Sequence, residues 1–204
     1  LNIAGSLVAI KENKPFMKNG IIEKILKESK DNKKILGIRK YGEGDDFWCG
    51  YIYDFNEQLV IIQHFTKFGK PDGLIIEKIE NIESIETDDD YAKSYQYLVE
   101  NHNRIEKQRD IKIKICASED WQLDTFKQLD LFKALVTIEI NSDFFISGFI
   151  NEFDNGFLNI KTIGKLGEDE GDCFYKIADI TSIQFDRMEE RKRQLLSEWR
   201  KSSK

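Results

Sequence analysis

The stretch GYIYDFNEQLVIIQHFTKFG, residues 50–69, returns as GFINEFDNGFLNIKTIGKLG at residues 148–167. Sliding the chain on itself by 98 positions aligns Gly50 with Gly148, Ile52 with Ile150, Phe55 with Phe153 and Ile62 with Ile160. The same step aligns Gly69 with Gly167, Gly73 with Gly171, Ile79 with Ile177, Ile82 with Ile180, Ile85 with Ile183 and Asp88 with Asp186. Strand patterning alone repeats hydrophobic residues; it does not repeat glycines at a constant loop length. The chain is therefore expected to fold as two copies of one unit, residues 1–105 and 106–204.

Each copy reads as short strands. In the second, Ala134–Ile140 is a β-branched run, and Asn141-Ser142-Asp143 is a turn. Phe144–Phe153 is a strand interrupted by Gly148, which marks a bend, a bulge or a close backbone approach. Asp154-Asn155-Gly156 predicts a tight hairpin, on the ground that Asn-Gly tolerates positive φ. Phe157–Ile163 returns as a strand, a loop is expected over 164–171, and Cys173–Ile177 and Ile180–Phe185 complete the set. In the first copy the equivalent loop is Gly69-Lys70-Pro71-Asp72-Gly73. Five short, bent strands bury enough apolar surface only by curling into a small barrel, here at about 34–88 and about 132–186.

Helices are expected on both sides of each barrel. Asp88-Asp89-Asp90 predicts a cap and an acidic first turn for a helix over 91–105, with Tyr91, Tyr95, Leu98, His102 and Ile105 on one face. Asp186 is expected to cap a C-terminal helix over 187–202, with Met188, Leu195, Leu196 and Trp199 inward. Further helices are predicted over Phe16–Glu28 and, after a cap at Ser118, over Glu119–Leu129. The runs Leu7–Ile10 and Ile111–Cys116 offer one more strand to each copy. The fold class that follows is α+β, mainly β.

The strand with a mid-strand glycine, followed by a Phe–acid turn and a long third strand, resembles the Sm-like branch of the SH3-like small barrels. The residues that carry the likeness are Gly148–Asp154 with Phe157–Ile160, and Gly50–Asn56 with Leu59-Val60. RNA-binding members place an asparagine where this chain has Val60 and Leu158, and a basic–glycine pair where it has Lys78-Ile79 and Lys176-Ile177. The resemblance thus implies the fold without the RNA pocket. A looser resemblance, to uncharacterised bacterial proteins with a G-[YF]-[IV]-x-[DE]-[FY]-[ND] hairpin, implies no activity.

Charge divides the chain. The formal net charge of −6 combines +4 in residues 1–34 and +4 in residues 187–204 with −14 in between. The middle should repel polyanions and the ends attract them. Cys49, Cys116 and Cys173 are odd in number and lack C-x-x-C spacing, which suits reduced thiols in the cytoplasm and not a disulfide framework or zinc site. The apolar run Ile3–Ile10 is too short to span a bilayer, so no membrane association is expected. The chain begins at Leu1 and not Met, which leaves open an upstream segment that could carry targeting information; a cytoplasmic location is the expectation.

No cofactor motif is present: the sequence has no phosphate loop, G-x-S-x-G elbow or H-E-x-x-H. The acidic stretch Gly167–Asp172 lacks the ligand alternation of a calcium loop, and its counterpart Lys70-Pro71-Asp72 does not repeat the charge, so a solvated loop is expected. Cys49 and His64 form a conceivable nucleophile–base pair that Ser147 and Thr162 cannot reproduce. The candidate binding residues are instead the aromatics Trp48, Tyr51, Tyr53 and Phe149 and the basic run Arg191, Lys192 and Arg193. The expected function is a non-enzymatic binding or scaffold protein whose partner is a protein, including a second copy of itself. The alternatives are a single-stranded RNA-binding regulator, disfavoured by the acidic middle, and an enzyme of unidentified chemistry.

Overall fold

The computed structural model describes residues 20–42, 47–114 and 120–203. The expected strand Leu7–Ile10, the start of the helix predicted from Phe16, Ser118 and Cys116 lie outside these residues. Along the described chain the order is α1 (Ile21–Asn32), β1 (Leu36–Lys40), β2 (Phe47–Phe55), β3 (Leu59–Phe65), β4 (Pro71–Lys78), β5 (Ile82–Glu86) and α2 (Asp90–Glu106). The same order follows as α3 (Trp121–Leu131), β6 (Leu135–Ile140), β7 (Phe144–Phe153), β8 (Phe157–Ile163), β9 (Asp169–Lys176), β10 (Ile180–Phe185) and α4 (Met188–Ser202). A single 3-10 turn precedes β5 and another precedes β10. The sequence repeat is a structural repeat.

Each copy is a five-stranded antiparallel sheet, ordered β4-β3-β2-β1-β5 in the first and β10-β6-β7-β8-β9 in the second. Register repeats too: Gly50 faces His64 and Gly148 faces Thr162, while Ile52 faces Ile62 and Ile150 faces Ile160. A bulge follows at the same place in both, between Ile52 and Asp54 and between Ile150 and Glu152. Upstream of β2 the step changes. Leu36 faces Gly50 and Val136 faces Gly148, an offset of 100, so the β1–β2 connection of the first copy is two residues longer.

Alternation of apolar residues gives each sheet one buried face. In the first, Leu36, Ile38, Ile52, Val60 and Ile62 bury with Leu26 of α1, and Ile75 of β4 and Ile82 and Ile85 of β5 join the same cluster. Lys40 at the end of β1 meets Glu77 of β4 at 3.5 Å, although two strands separate them in the sheet. In the second, Val136, Ile138, Ile150, Leu158, Ile160 and Ile180 bury with Phe126 and Leu129 of α3. The Phe144 and Tyr175 rings, from β7 and β9, lie 6.2 Å apart. Each sheet therefore curls round its own core, but among the described residues no ladder joins its two outer strands, so the sheets are not closed into hydrogen-bonded barrels.

Helix ends follow local chemistry. Asp89 accepts from the Ala92 amide and caps α2, as the acidic run predicts. Asp186 does not cap α4: it sits at φ 53° and its carboxylate accepts from the Arg109 amide at 3.0 Å. The N-cap is Arg187, whose amide donates to the Glu190 carboxylate. α1 runs past the expected end at Glu28 to Asn32 and closes with Lys33 in the left-handed region. The hairpin Asp154–Phe157 also differs from expectation. Its amides at Gly156 and Phe157 donate to Asp154 Oδ1, and neither Asn155 nor Gly156 has positive φ. Asn56 does the same work in the first copy, so a side-chain acceptor, and not a left-handed backbone, closes both turns.

The predicted loop over 164–171 is shorter than expected. β9 begins at Asp169, because Ile163 pairs with it and draws most of the acidic stretch into the sheet. Among the described residues of the predicted strand Ile111–Cys116, Ile111–Lys114 joins no sheet; the Gln128 side chain accepts from the Lys114 amide and donates to its carbonyl.

Compactness divides the described chain differently from the repeat. One unit holds residues up to His64 and Gly73–Glu86; the other holds Phe65–Asp72 and residues from Thr87 onward. Within the second unit α2 packs on α4: Tyr97 stacks on Trp199 at 5.1 Å, and Arg200 bonds Asp90.

Candidate interaction surface

The sheets bend where glycine lets two backbones touch. A Cβ on Gly50 would lie 2.0 Å from the Gln63 carbonyl oxygen, and one on Gly148 would lie 2.2 Å from that of Lys161. Of the three meanings a mid-strand glycine carries, close approach is the one realised; the bulge comes after it. The β3–β4 and β8–β9 hairpins place β4 and β9 as outer strands of their sheets.

Both outer strands are exposed in the same alternation, with residues 71–74, 76 and 78 open in β4 and 169–172, 174 and 176 open in β9. Large apolar side chains stand on this surface at matching positions. Ile76 is 65% exposed and its counterpart Phe174 is 61% exposed; Leu59 and its counterpart Phe157 are also exposed. Leu74 adds a third apolar side chain to the first hairpin. Phe157 and Phe174 are diagonal neighbours on one face, because Phe157 faces Lys176 and Asn159 faces Phe174. Exposed apolar side chains on an unpaired edge are what monomeric domains ordinarily suppress.

The candidate aromatics fall in different settings. Trp48 is half-buried against the first core, with Lys40 Nζ 4.1 Å from its ring centre. Tyr51 is half-buried, with Lys33 Nζ 6.0 Å away. Tyr53 stands 57% exposed at the bulge. In the second unit Phe149 is half-buried beneath Lys201. Of the four, Tyr53 presents its ring to solvent.

The basic run is engaged within the second unit. Arg191 donates to the Ile105 carbonyl and to Asp186, Lys192 meets Glu189 at 2.9 Å, and Arg193 donates to the Ile163 carbonyl at 2.9 Å. Burial draws the Lys192 amine below its usual range, and Glu189 only partly restores it. Arg193 does for the second copy what Tyr95 does for the first: the Tyr95 hydroxyl donates to the Phe65 carbonyl, which stands 98 positions before Ile163. Gly69 and Gly167 complete the two clasps, since a Cβ on either would collide with the backbone at Leu98 or Leu196. Each hairpin tip is thus held against the helix that follows its own sheet. Nothing in the sequence pairs a tyrosine with an arginine, so this equivalence is invisible without the structure.

Other candidates settle into structural roles. Glu168 accepts from the Leu166 amide and Asp169 meets Lys161 at 2.8 Å, and among the described residues no cluster of three or more metal-type ligands exists. Cys49 is buried opposite Gly37. His102 Nδ1 bonds its own helix at Val99 O. A buried polar set that the sequence did not suggest links Thr137 to Ser147 at 2.8 Å and to Glu190 at 2.7 Å, with Arg187 closing on Glu190. The first copy has Gly37, Cys49 and Ala92 at these places. A groove of about 550 Å³ lies between Ile111, Ile113, Trp121, Ile183 and Phe185.

No family model, curated protein or solved structure matches the chain. Among the described residues, no helix is long and apolar enough to cross a membrane.

Proposed function

We propose that the chain is a non-enzymatic binding or scaffold protein in which two Sm-like small barrels, joined in tandem, engage protein partners in the cytoplasm. The observation that carries the reading is the recurrence of an exposed apolar hairpin face, Leu59 and Ile76 in one copy and Phe157 and Phe174 in the other. Side-chain contacts between non-neighbouring strands, Lys40–Glu77 in one sheet and Phe144–Tyr175 in the other, support the small-barrel description. The RNA alternative loses support from the internal bonds of Arg191, Lys192 and Arg193.

Quantitative affinity capture tests the reading, with nuclease-treated lysate and three baits: wild type, Ile76→Asp and Phe174→Asp. A set of proteins held by wild type and lost from either variant is expected. Identical capture by all three baits, or cargo that vanishes with nuclease, would overturn it.

A further inference from the structure

We propose that β9 is a self-complementary docking strand, through which a second copy of this chain pairs antiparallel about a two-fold axis at Phe174. This rests on the reading of the hairpin faces as binding surfaces and names the occupant of one of them.

Among the described residues β9 is the last strand of its sheet, with β8 on one side and no strand on the other. Gly171, at φ 89°, and the register shift beside it interrupt the strand near its start, leaving Asp172–Lys176 as the regular edge. Within it Asp172, Phe174 and Lys176 alternate onto the exposed face, while Cys173 and Tyr175 turn toward the core. Antiparallel pairing centred on Phe174 sets the two Phe174 rings side by side. It also places Asp172 of each copy opposite Lys176 of the other. Neither Asp172 nor Lys176 has an ion-pair partner within 4.0 Å among the described residues; Lys161, which faces Asp172 from β8, meets Asp169 at 2.8 Å instead. A parallel, in-register arrangement would instead oppose like charges.

The first hairpin lacks this complementarity. The corresponding residues of β4 are Leu74, Ile76 and Lys78, with no acid to meet the lysine. Lys78 is already paired with Glu80 at 3.2 Å, and β4 opens on Pro71, which has no amide to donate to a neighbouring strand. An isologous contact through β9 closes as a dimer; a β4-to-β9 contact would propagate as a chain.

Sedimentation velocity on the full chain, with circular dichroism as a check on folding, tests the pairing. Wild type should sediment as a concentration-dependent dimer. Asp172→Lys alone and Lys176→Asp alone each oppose like charges twice across the axis, and each should weaken the dimer by about tenfold or more. The double variant Asp172→Lys/Lys176→Asp restores both pairs and should restore the dimer. A wild-type monomer at about 100 μM, roughly the weak end of specific association, would overturn the proposal, as would a double variant no tighter than the singles. So would a dimer broken by Ile76→Asp and untouched by the charge changes. A monomeric wild type that still captures Phe174-dependent proteins would leave the binding-module reading standing; loss of both would remove the two together.

Discussion

Replacing Gly148 by alanine would set a methyl group 2.2 Å from the Lys161 carbonyl oxygen, inside the hydrogen-bonded ladder of β7 and β8. A backbone atom cannot swing aside as a side chain can, so the two strands must part. The expected cost is about 3 kcal/mol, the upper range for forcing atoms into a packed core, read as a shift in the denaturant midpoint. Gly42 offers the contrast, since no atom lies within 4 Å of a Cβ there, although its φ of 83° still disfavours one. Glu190 gives a pH test. Burial pushes its carboxyl up, but the Arg187 guanidinium and the Thr137 hydroxyl more than offset that and leave it below its ordinary 4.5. Stability from this group is full above pH 4.5 and is lost as pH falls through the lowered folded value. Glu190→Gln should cost about 1 kcal/mol at neutral pH, a typical hydrogen-bond contribution, and should flatten the acid limb of stability measured by urea unfolding. An unchanged acid limb would show that Glu190 is not the group responsible.

At the scale of elements, the two clasps decide whether the hairpin tips stay on their helices. Tyr95→Phe removes the hydroxyl whose one hydrogen is shared between the Phe65 and Thr66 carbonyls. A loss of about 1–2 kcal/mol is expected, with faster hydrogen exchange at Thr66–Lys70 and no change in β6–β8. Asp89→Ala removes the α2 cap and should cost about 1 kcal/mol. The strands were largely legible in the sequence because they are apolar, β-branched runs bounded by turn residues, and in β8 Leu158 and Ile160 alternate with Asn159 and Lys161, a two-residue period that admits one register. β9 was read too short because its first residues, Asp169 and Glu170, carry the charge of a solvated loop; an outer strand tolerates them, having one side in water. Asp186 was misread as a cap because its neighbour Arg187 rarely serves as one, and only the three-dimensional fold brings the Arg109 amide to Asp186. The hairpin face was legible in part. Phe157 and Phe174 are ordinary strand residues by pattern, and their exposure follows from the outer position of β9, which no local signal encodes.

For the whole molecule, charge and its spending are different quantities. The C-terminal +4 segment reads as a phosphate-binding tail, yet Arg191 and Arg193 donate to backbone carbonyls, Lys192 is buried against Glu189, and Arg200 serves Leu166 and Asp90. With −14 over residues 35–186, a long-range field does not favour a polyanion either. Fluorescence anisotropy with a mixed-sequence single-stranded RNA at three salt concentrations should therefore show no binding, even at low salt. Tight binding with a steep salt slope would return the tail to a nucleic-acid role. Each copy has its own core and an exposed outer strand, and the proposed function assigns binding to those strands. The most direct test of that claim is hydrogen–deuterium exchange on the full chain, bound to its captured partner and alone. Protection confined to residues 71–78 and 169–176 is the predicted result. Unchanged exchange in both strands, with protection at the groove lined by Ile111 and Trp121 instead, would contradict it.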